Sequence, residues 1–151
     1  MSESAIVLDS NLLVLYIVGT ASRAYIDRHR RLQAYTESDY ELLLGLIEAA
    51  RTVLTTPNAL SEASNLAGYI ASPARDHVFE VMRVMTRGLE EVYVPSSVAV
   101  ERAEFVRLGL TDATMLDLAS SERVLLTADF DLYQAALAKG AAAVNFNHLR
   151  G

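Results

Sequence analysis

Short apolar runs alternate along the chain with longer segments of helical periodicity. Apolar residues at 5–9, 53–56 and 123–128 predict strands that are buried on both faces, as in a parallel sheet. Residues 91–95 predict a short strand or an extended connector, and 142–146 a terminal strand. Helices are expected over residues 11–19, 40–51, 57–70, 74–88, 97–108, from 111 onwards, and over 132–139. This order predicts one α/β domain over residues 1–151 with a mostly parallel sheet.

Local signals support several of these boundaries. Thr36 with Asp39 resembles a helix start, and Pro57 occupies a favoured first helical position. Thr111 is the expected N-cap of the helix that carries Asp112. Between residues 57 and 70, side chains at i, i+4 and i+7 share one helix face; they are Asn58, Glu62 and Asn65.

Acidic residues stand at the ends of the apolar runs. Asp9 ends the first strand and Asp129 follows the third, with Asp131 two residues later. A buried carboxylate without a partner costs several kcal/mol or stays protonated. Because open α/β sheets bind ligands at the carboxyl ends of their strands, these acids together with Glu62 and Asp112 predict a bound cation.

The composition narrows the choice of cation and of compartment. Hydrophobic residues make up 52% of the chain and the mean hydropathy is +0.21, yet no apolar run is long enough to span a bilayer. The start Met-Ser-Glu-Ser has no basic region of a secretory signal, and the absence of cysteine excludes disulfides and thiolate ligands, so a cytoplasmic protein is expected. Three scattered histidines, expected at the surface, do not favour zinc: His29, His77 and His148.

An all-oxygen ligand set suits a hard divalent ion, Mg²⁺ or Mn²⁺. Such an ion polarises a phosphoryl oxygen and lowers the pKa of a water that attacks a phosphodiester. Acids without a histidine or cysteine nucleophile therefore indicate hydrolytic phosphoryl chemistry.

Four segments resemble, in order, the motifs of PIN-domain nucleases, a family that includes VapC-type toxins. They are Ile6-Val7-Leu8-Asp9-Ser10-Asn11-Leu12-Leu13, Thr55-Thr56-Pro57-Asn58-Ala59-Leu60-Ser61-Glu62, Leu108-Gly109-Leu110-Thr111-Asp112-Ala113 and Leu125-Leu126-Thr127-Ala128-Asp129-Phe130-Asp131-Leu132. The resemblance spans residues 5 to about 146. It implies a three-layer α/β/α sandwich and an Mg²⁺- or Mn²⁺-dependent endoribonuclease, with RNA as substrate and an antitoxin protein as a partner if the chain is a toxin.

The resemblance also implies roles for individual residues. Asp9, Glu62, Asp112 and Asp129 match the catalytic metal-site acids, and Asp131 their more variable companion. Thr127 matches a hydroxyl that steadies the first aspartate. Asn11 matches a polar position beside that aspartate, and Asn65 shares the face of Glu62 as a further supporting residue. The 53-residue gap between Asp9 and Glu62 is longer than in the most compact toxins of the family.

Other interpretations of the same residues stay open. Asp112 behind Thr111 also suits a helix dipole, and Asp129 and Asp131 also suit a turn. A PIN-like scaffold that binds RNA or protein without cleavage is the main alternative. A phosphatase of the haloacid-dehalogenase type fits less well, because Asn11 stands where a second aspartate is required and Lys139 is the only lysine.

The net charge of −6 excludes a general nucleic-acid coat protein, but a basic segment lies between the first two motifs. If it is an arm beside the acids, its arginines are candidates to contact phosphates while Tyr25 or Tyr35 stacks on a base; they are Arg23, Arg28, Arg30 and Arg31. The face from Val78 to Met85 is expected to be core or a dimer face, and with the apolar composition it predicts a homodimer.

Overall fold

The computed structural model describes residues 4–151 and contains one parallel sheet with the strand order β3-β2-β1-β4-β5. The strands are β1 Ala5–Leu8, β2 Thr52–Thr55, β3 Glu90–Glu91, β4 Arg123–Thr127 and β5 Ala143–Asn145. Val7 in the central strand pairs with Leu54 on one side and Leu125 on the other. The carboxyl ends of β1 and β4 therefore lie side by side, which brings Asp9 next to the end of β4.

Helices connect the strands. The longer ones are α1 Ser10–Ala21, α3 Glu37–Ala49, α4 Pro57–Ala67, α5 Ala74–Thr86, α8 Leu110–Leu118 and α9 Phe130–Lys139. The shorter ones are α2 Tyr25–Arg28, α6 Ser96–Ala99, α7 Phe105–Leu108 and a 3-10 turn at Phe146–His148. Thr36 and Asp39 form a capping box at the start of α3, and Pro57 is the first residue of α4, as the sequence predicts.

The sheet is covered on both faces. Consecutive residues Val7 and Leu8 in β1, and Leu125 and Leu126 in β4, are all buried although their side chains point to opposite faces. This burial requires a helical layer on each side, so the predicted three-layer α/β/α sandwich is confirmed. Among residues 4–151, no helix combines the length and the apolar character needed to cross a membrane.

Two predicted boundaries are wrong. Residues 97–108 form two four-residue helices, α6 and α7, and not one helix. Gly109, with a φ of 90°, precedes α8, so Thr111 lies inside that helix and is not its N-cap. The left-handed backbone at Gly109 turns the chain between α7 and α8, and it places Asp112 as the third residue of α8.

The surface position predicted for His29 is wrong, and the helix face from Val78 to Met85 belongs in part to the core. His29 is fully buried, and its Nε2 lies 3.0 Å from the carbonyl oxygen of Ala67, because the turn after α2 packs against the end of α4. Val78 and Met82 pack into the core of the protein itself, so this part of the proposed dimer face faces inward, whereas Val84 is 63% exposed.

Candidate functional site

Asp9 is the buried centre of the candidate site. Its amide donates to the carbonyl of Leu126 over 3.1 Å, which extends the β1–β4 pairing by one residue and fixes the backbone. The side chain is 4% exposed, and one carboxylate oxygen accepts a hydrogen bond from the Thr127 hydroxyl at 2.5 Å. Burial raises the pKa of Asp9 to about 6, and the charges of Asp129 and Glu62 add to this rise.

Thr127 joins Asp9 to Asp129. Its hydroxyl oxygen accepts from the Asp129 amide at 2.9 Å while its hydrogen is donated to Asp9. Asp129 in turn accepts from the Leu132 amide at 3.1 Å and so caps α9. This contact agrees with the role that the resemblance implies for Thr127. One hydroxyl therefore sets the relative position of two acids that are 120 residues apart in the chain.

Asp112 joins the same group from α8. Burial, together with the smaller effect of the charges of Asp9, Asp129 and Glu62, raises the pKa of Asp112 to about 7. The four carboxyl groups are therefore close enough to repel one another. Among the ion pairs of residues 4–151 none includes one of these four acids, so the charge of Asp9 and Asp129 is offset by hydrogen bonds and not by a cationic side chain.

Glu62 is exposed on α4, where it lines a cleft with Asn58 and Asn65. The three residues share this side of the helix, as their spacing predicts.

A hydrogen bond between two hydroxyls connects the start of α4 to α8: Thr56 Oγ1 and Thr114 Oγ1 are 3.1 Å apart. Thr114 donates to the carbonyl of Thr111 and Thr56 accepts from the amide of Ala59, so the proton between them comes from Thr56. The sequence analysis missed this pair, because two buried threonines far apart in the chain give no local signal.

Asn11 and Asp131 lie in the first turns of α1 and α9, with exposed side chains. Neither contributes to the raised pKa values of Asp9 and Asp112. Their proposed supporting and metal-binding roles stay predictions.

The structure does not bring the four arginines to the acids. Arg23 follows the end of α1, and that 12-residue helix carries the chain about 18 Å away from Asp9. Arg30 and Arg31 lie over the ring of Tyr69, beyond the end of α4, and Arg28 lies over Tyr25. Arg23 forms an ion pair with Glu41. The basic segment is thus not an arm beside the acids, and its contact with RNA stays a prediction.

The two tyrosines proposed to stack on a base are already engaged. The hydroxyl of Tyr25 is hydrogen-bonded to His77 at 3.1 Å, and the guanidinium of Arg28 covers its ring. Tyr35 packs against Phe146 and under the guanidinium of Arg150.

The donor set can be compared with the needs of a divalent cation. Within residues 4–151, no three acidic or histidine side chains are grouped closely enough to ligate one ion together. Mg²⁺ commonly takes only one or two carboxylates directly and keeps several waters, so acids that repel one another without converging still fit it. The buried hydroxyl of Ser10, next to Asp9, has no partner among the described residues, and a hydrated ion would supply one.

Comparisons with known proteins assign no function to the chain. No protein-family model and no curated protein matches the chain. One solved structure, described as a domain of a functionally unknown protein from Methanocaldococcus jannaschii DSM 2661, is 16% identical with a TM-score of 0.47. The match covers 94% of this chain and 90% of that one.

Proposed function

We propose that the protein is a metal-dependent endoribonuclease of the PIN-domain kind. The observation that carries the proposal is the position of Asp9. It is buried at the carboxyl end of the central strand, held by Thr127, and within electrostatic reach of Glu62, Asp112 and Asp129. Such a group of carboxylates costs stability unless positive charge is supplied, which is the expected state of a site built for a cation.

Asp9, Glu62, Asp112 and Asp129 would hold Mg²⁺ or Mn²⁺, through direct bonds or through water. The bound ion would supply positive charge to a phosphodiester and lower the pKa of the attacking water. Asp9 is fixed by its backbone and by Thr127, whereas Glu62 is exposed on α4 and can adjust to a substrate. No side chain is assigned as a separate general base.

Cleavage of single-stranded RNA by the purified protein, with Mn²⁺ or Mg²⁺ and with EDTA, tests this proposal. Asp9→Asn keeps the size of the side chain and is expected to abolish cleavage. Asp27→Asn is the matched control, since it changes the net charge equally but lies on exposed α2. Metal-dependent cleavage by the Asp9→Asn protein at the parent rate would contradict the assignment.

A toxin role is the narrower form of the proposal. If the chain is a toxin, its induced expression arrests bacterial growth, the Asp9→Asn protein does not, and co-expression of a neighbouring antitoxin gene restores growth. Equal growth arrest by the parent and the Asp9→Asn protein would show that the toxicity does not depend on the acidic site.

The second candidate is a PIN-like scaffold that binds RNA or protein without cleavage. It is favoured by the lack, among residues 4–151, of three acids grouped to ligate one ion. Thermal unfolding with Mn²⁺ distinguishes the two candidates, because an ion that binds the folded state raises the melting temperature by mass action. No thermal shift, together with no cleavage of a mixed RNA pool, would favour the scaffold.

The contacts of Lys139 argue against the phosphatase alternative. This only lysine donates hydrogen bonds to the carbonyl oxygens of Leu116 and Ala119 at the end of α8. It is therefore engaged in capping a helix and does not reach the acids at the other end of α8. Turnover of an aryl phosphate without RNA cleavage would reverse this ranking.

A further inference from the structure

A cleft of about 460 Å³ lies beside Glu62. One wall is α4, with Asn58, Ser61 and Asn65, and the other is formed by Tyr93 after β3 and by Ser96 at the start of α6. Its volume is that of a small-molecule site. Of residues 4–151, Glu62 is the single charged residue that lines the cleft, so they provide no positively charged side chain there to bind a phosphate. The cleft therefore suits an uncharged portion of a ligand.

Tyr93 is 74% exposed in this cleft. Within the described part of the chain no other ring and no guanidinium packs on it, in contrast to Tyr25, Tyr35, Tyr69 and Tyr133. An aromatic ring left open to water beside polar groups is the usual arrangement where a flat ligand stacks.

The segment that carries Tyr93 is fixed on both sides. The amide of Val92 donates to the carbonyl of Thr55 over 2.8 Å, which extends the β2–β3 pairing. Val94 is 5% exposed and packs with Ala99 and Ala113. The backbone that carries the ring is therefore held in place before a ligand binds, which reduces the ordering cost of stacking.

The two walls of the cleft offer hydrogen-bonding groups that are not otherwise used. The side chains of Asn58, Ser61, Asn65 and Ser96 form no hydrogen bond with other residues of 4–151. Each asparagine amide presents both donors and an acceptor, the combination that recognises the edge of a nucleobase.

We propose that this cleft is a subsite for one unpaired nucleobase, which stacks on Tyr93 and places its edge against Asn58 and Asn65. The inference rests on the proposed ribonuclease function and narrows its substrate to single-stranded RNA, since a paired base cannot leave its stack to enter the cleft. The base would bind next to Glu62, so the adjacent backbone would lie at the acids.

The chain contains no tryptophan, which allows a direct test of binding. Tyr93→Trp creates a single fluorescent reporter, and we expect short single-stranded RNA in EDTA to quench it. Tyr69→Trp, beyond the far end of α4, is the control and should respond less. Quenching only at position 69 would show that RNA binds near Arg30 and Arg31 and would contradict the proposed subsite.

Cleavage kinetics provide the second test. We expect Tyr93→Ala to raise KM for single-stranded RNA about tenfold with little change in kcat, because the stacking that is lost stabilises the bound substrate and the transition state equally. Tyr93→Phe keeps the ring and should restore the parent KM, while the melting temperature stays unchanged in both. A parent-like KM for Tyr93→Ala would overturn the subsite.

The two proposals can fail separately. Quenching at Tyr93→Trp without any cleavage would support the nucleobase subsite and contradict the nuclease. Metal-dependent cleavage without quenching at position 93 would support the nuclease and contradict the subsite.

Discussion

The hydroxyl of Thr127 lies 2.5 Å from a carboxylate oxygen of Asp9, although 118 residues separate the two in the chain. The contact is possible because β1 and β4 are neighbours in register, with Leu8 opposite Leu126. The hydrogen bond from Thr127 lowers the pKa of Asp9, while burial raises it by a larger amount. The hydrogen bond therefore helps to keep a buried acid in its charged form.

Replacement of this hydroxyl tests its contribution. We expect Thr127→Val to reduce the free energy of unfolding by about 1–3 kcal/mol, since it leaves the Asp9 carboxylate and the Asp129 amide without their partner. The pH profile of cleavage should also shift upwards, because the pKa of Asp9 rises further. Denaturant unfolding and rate measurements across pH check both effects.

Thr55→Val is the matched control. Thr55 ends β2, and its buried hydroxyl has no hydrogen-bond partner among the described residues. Its removal should therefore be neutral or stabilise the protein by up to about 1 kcal/mol. Equal losses of stability in the two variants would show that the Asp9 contact contributes nothing specific.

Asp9→Asn should stabilise the metal-free protein at pH 8 by about 1–3 kcal/mol. The folded pKa of about 6 lies above the ordinary value of 3.8, so the cost of the charge is complete above pH 6 and disappears below about pH 4. The gain should accordingly shrink as the pH falls from 6 to 4. Denaturant unfolding at several pH values in EDTA measures it, and a gain that is the same at pH 8 and pH 4 would contradict the assigned cause.

The metal affinity should rise with pH. Protons compete with a cation at Asp9 and Asp112, whose pKa values are raised to about 6 and about 7. The increase in melting temperature caused by Mn²⁺ should therefore be larger at pH 8 than at pH 5.5. Asp112→Asn should reduce it at both values, whereas exposed Asp27→Asn should leave it unchanged.

Two glycine substitutions test the packing that supports α1. A Cβ atom on Gly19 would lie 2.2 Å from the ring of Tyr40, so Gly19→Ala should cost about 1–3 kcal/mol or more. Gly45 in α3 has no atom within 4 Å of such a Cβ. Gly45→Ala should thus stabilise the helix by about 0.5–1 kcal/mol. Thermal unfolding compares them, and a stabilised Gly19→Ala would contradict the close contact.

The basic segment provides a test of how far RNA extends. If RNA reaches the end of the molecule opposite Asp9, replacement of Arg28, Arg30 and Arg31 by alanine should weaken RNA binding and flatten its salt dependence, without loss of metal affinity. The control is a triple alanine variant of other exposed arginines, Arg83, Arg87 and Arg107. If the triple variant of the basic segment binds RNA as tightly as the parent at every salt concentration, the segment is a solvated surface that does not contact RNA.

The sequence determined the sheet and the order of its acids. Apolar runs such as Val124-Leu125-Leu126 are typical of strands buried on both faces, and their alternation with helical segments predicts a mostly parallel sheet. Asp9 and Asp129 directly follow such runs, which predicts their place at one edge of the sheet. The helix starts at Thr36 and Pro57 depend on residues that are neighbours in the chain, so the sequence predicts them as well.

Tertiary packing decided the rest. The contacts of Thr56 with Thr114 and of His29 with Ala67 join residues that are far apart in the chain, and no local pattern marks them. The length of α1 carries the arginines away from Asp9, and the fixed segment after β3 leaves Tyr93 in the cleft beside Glu62. A residue type indicates what a side chain can do, but only the packing of distant elements determines which side chains meet.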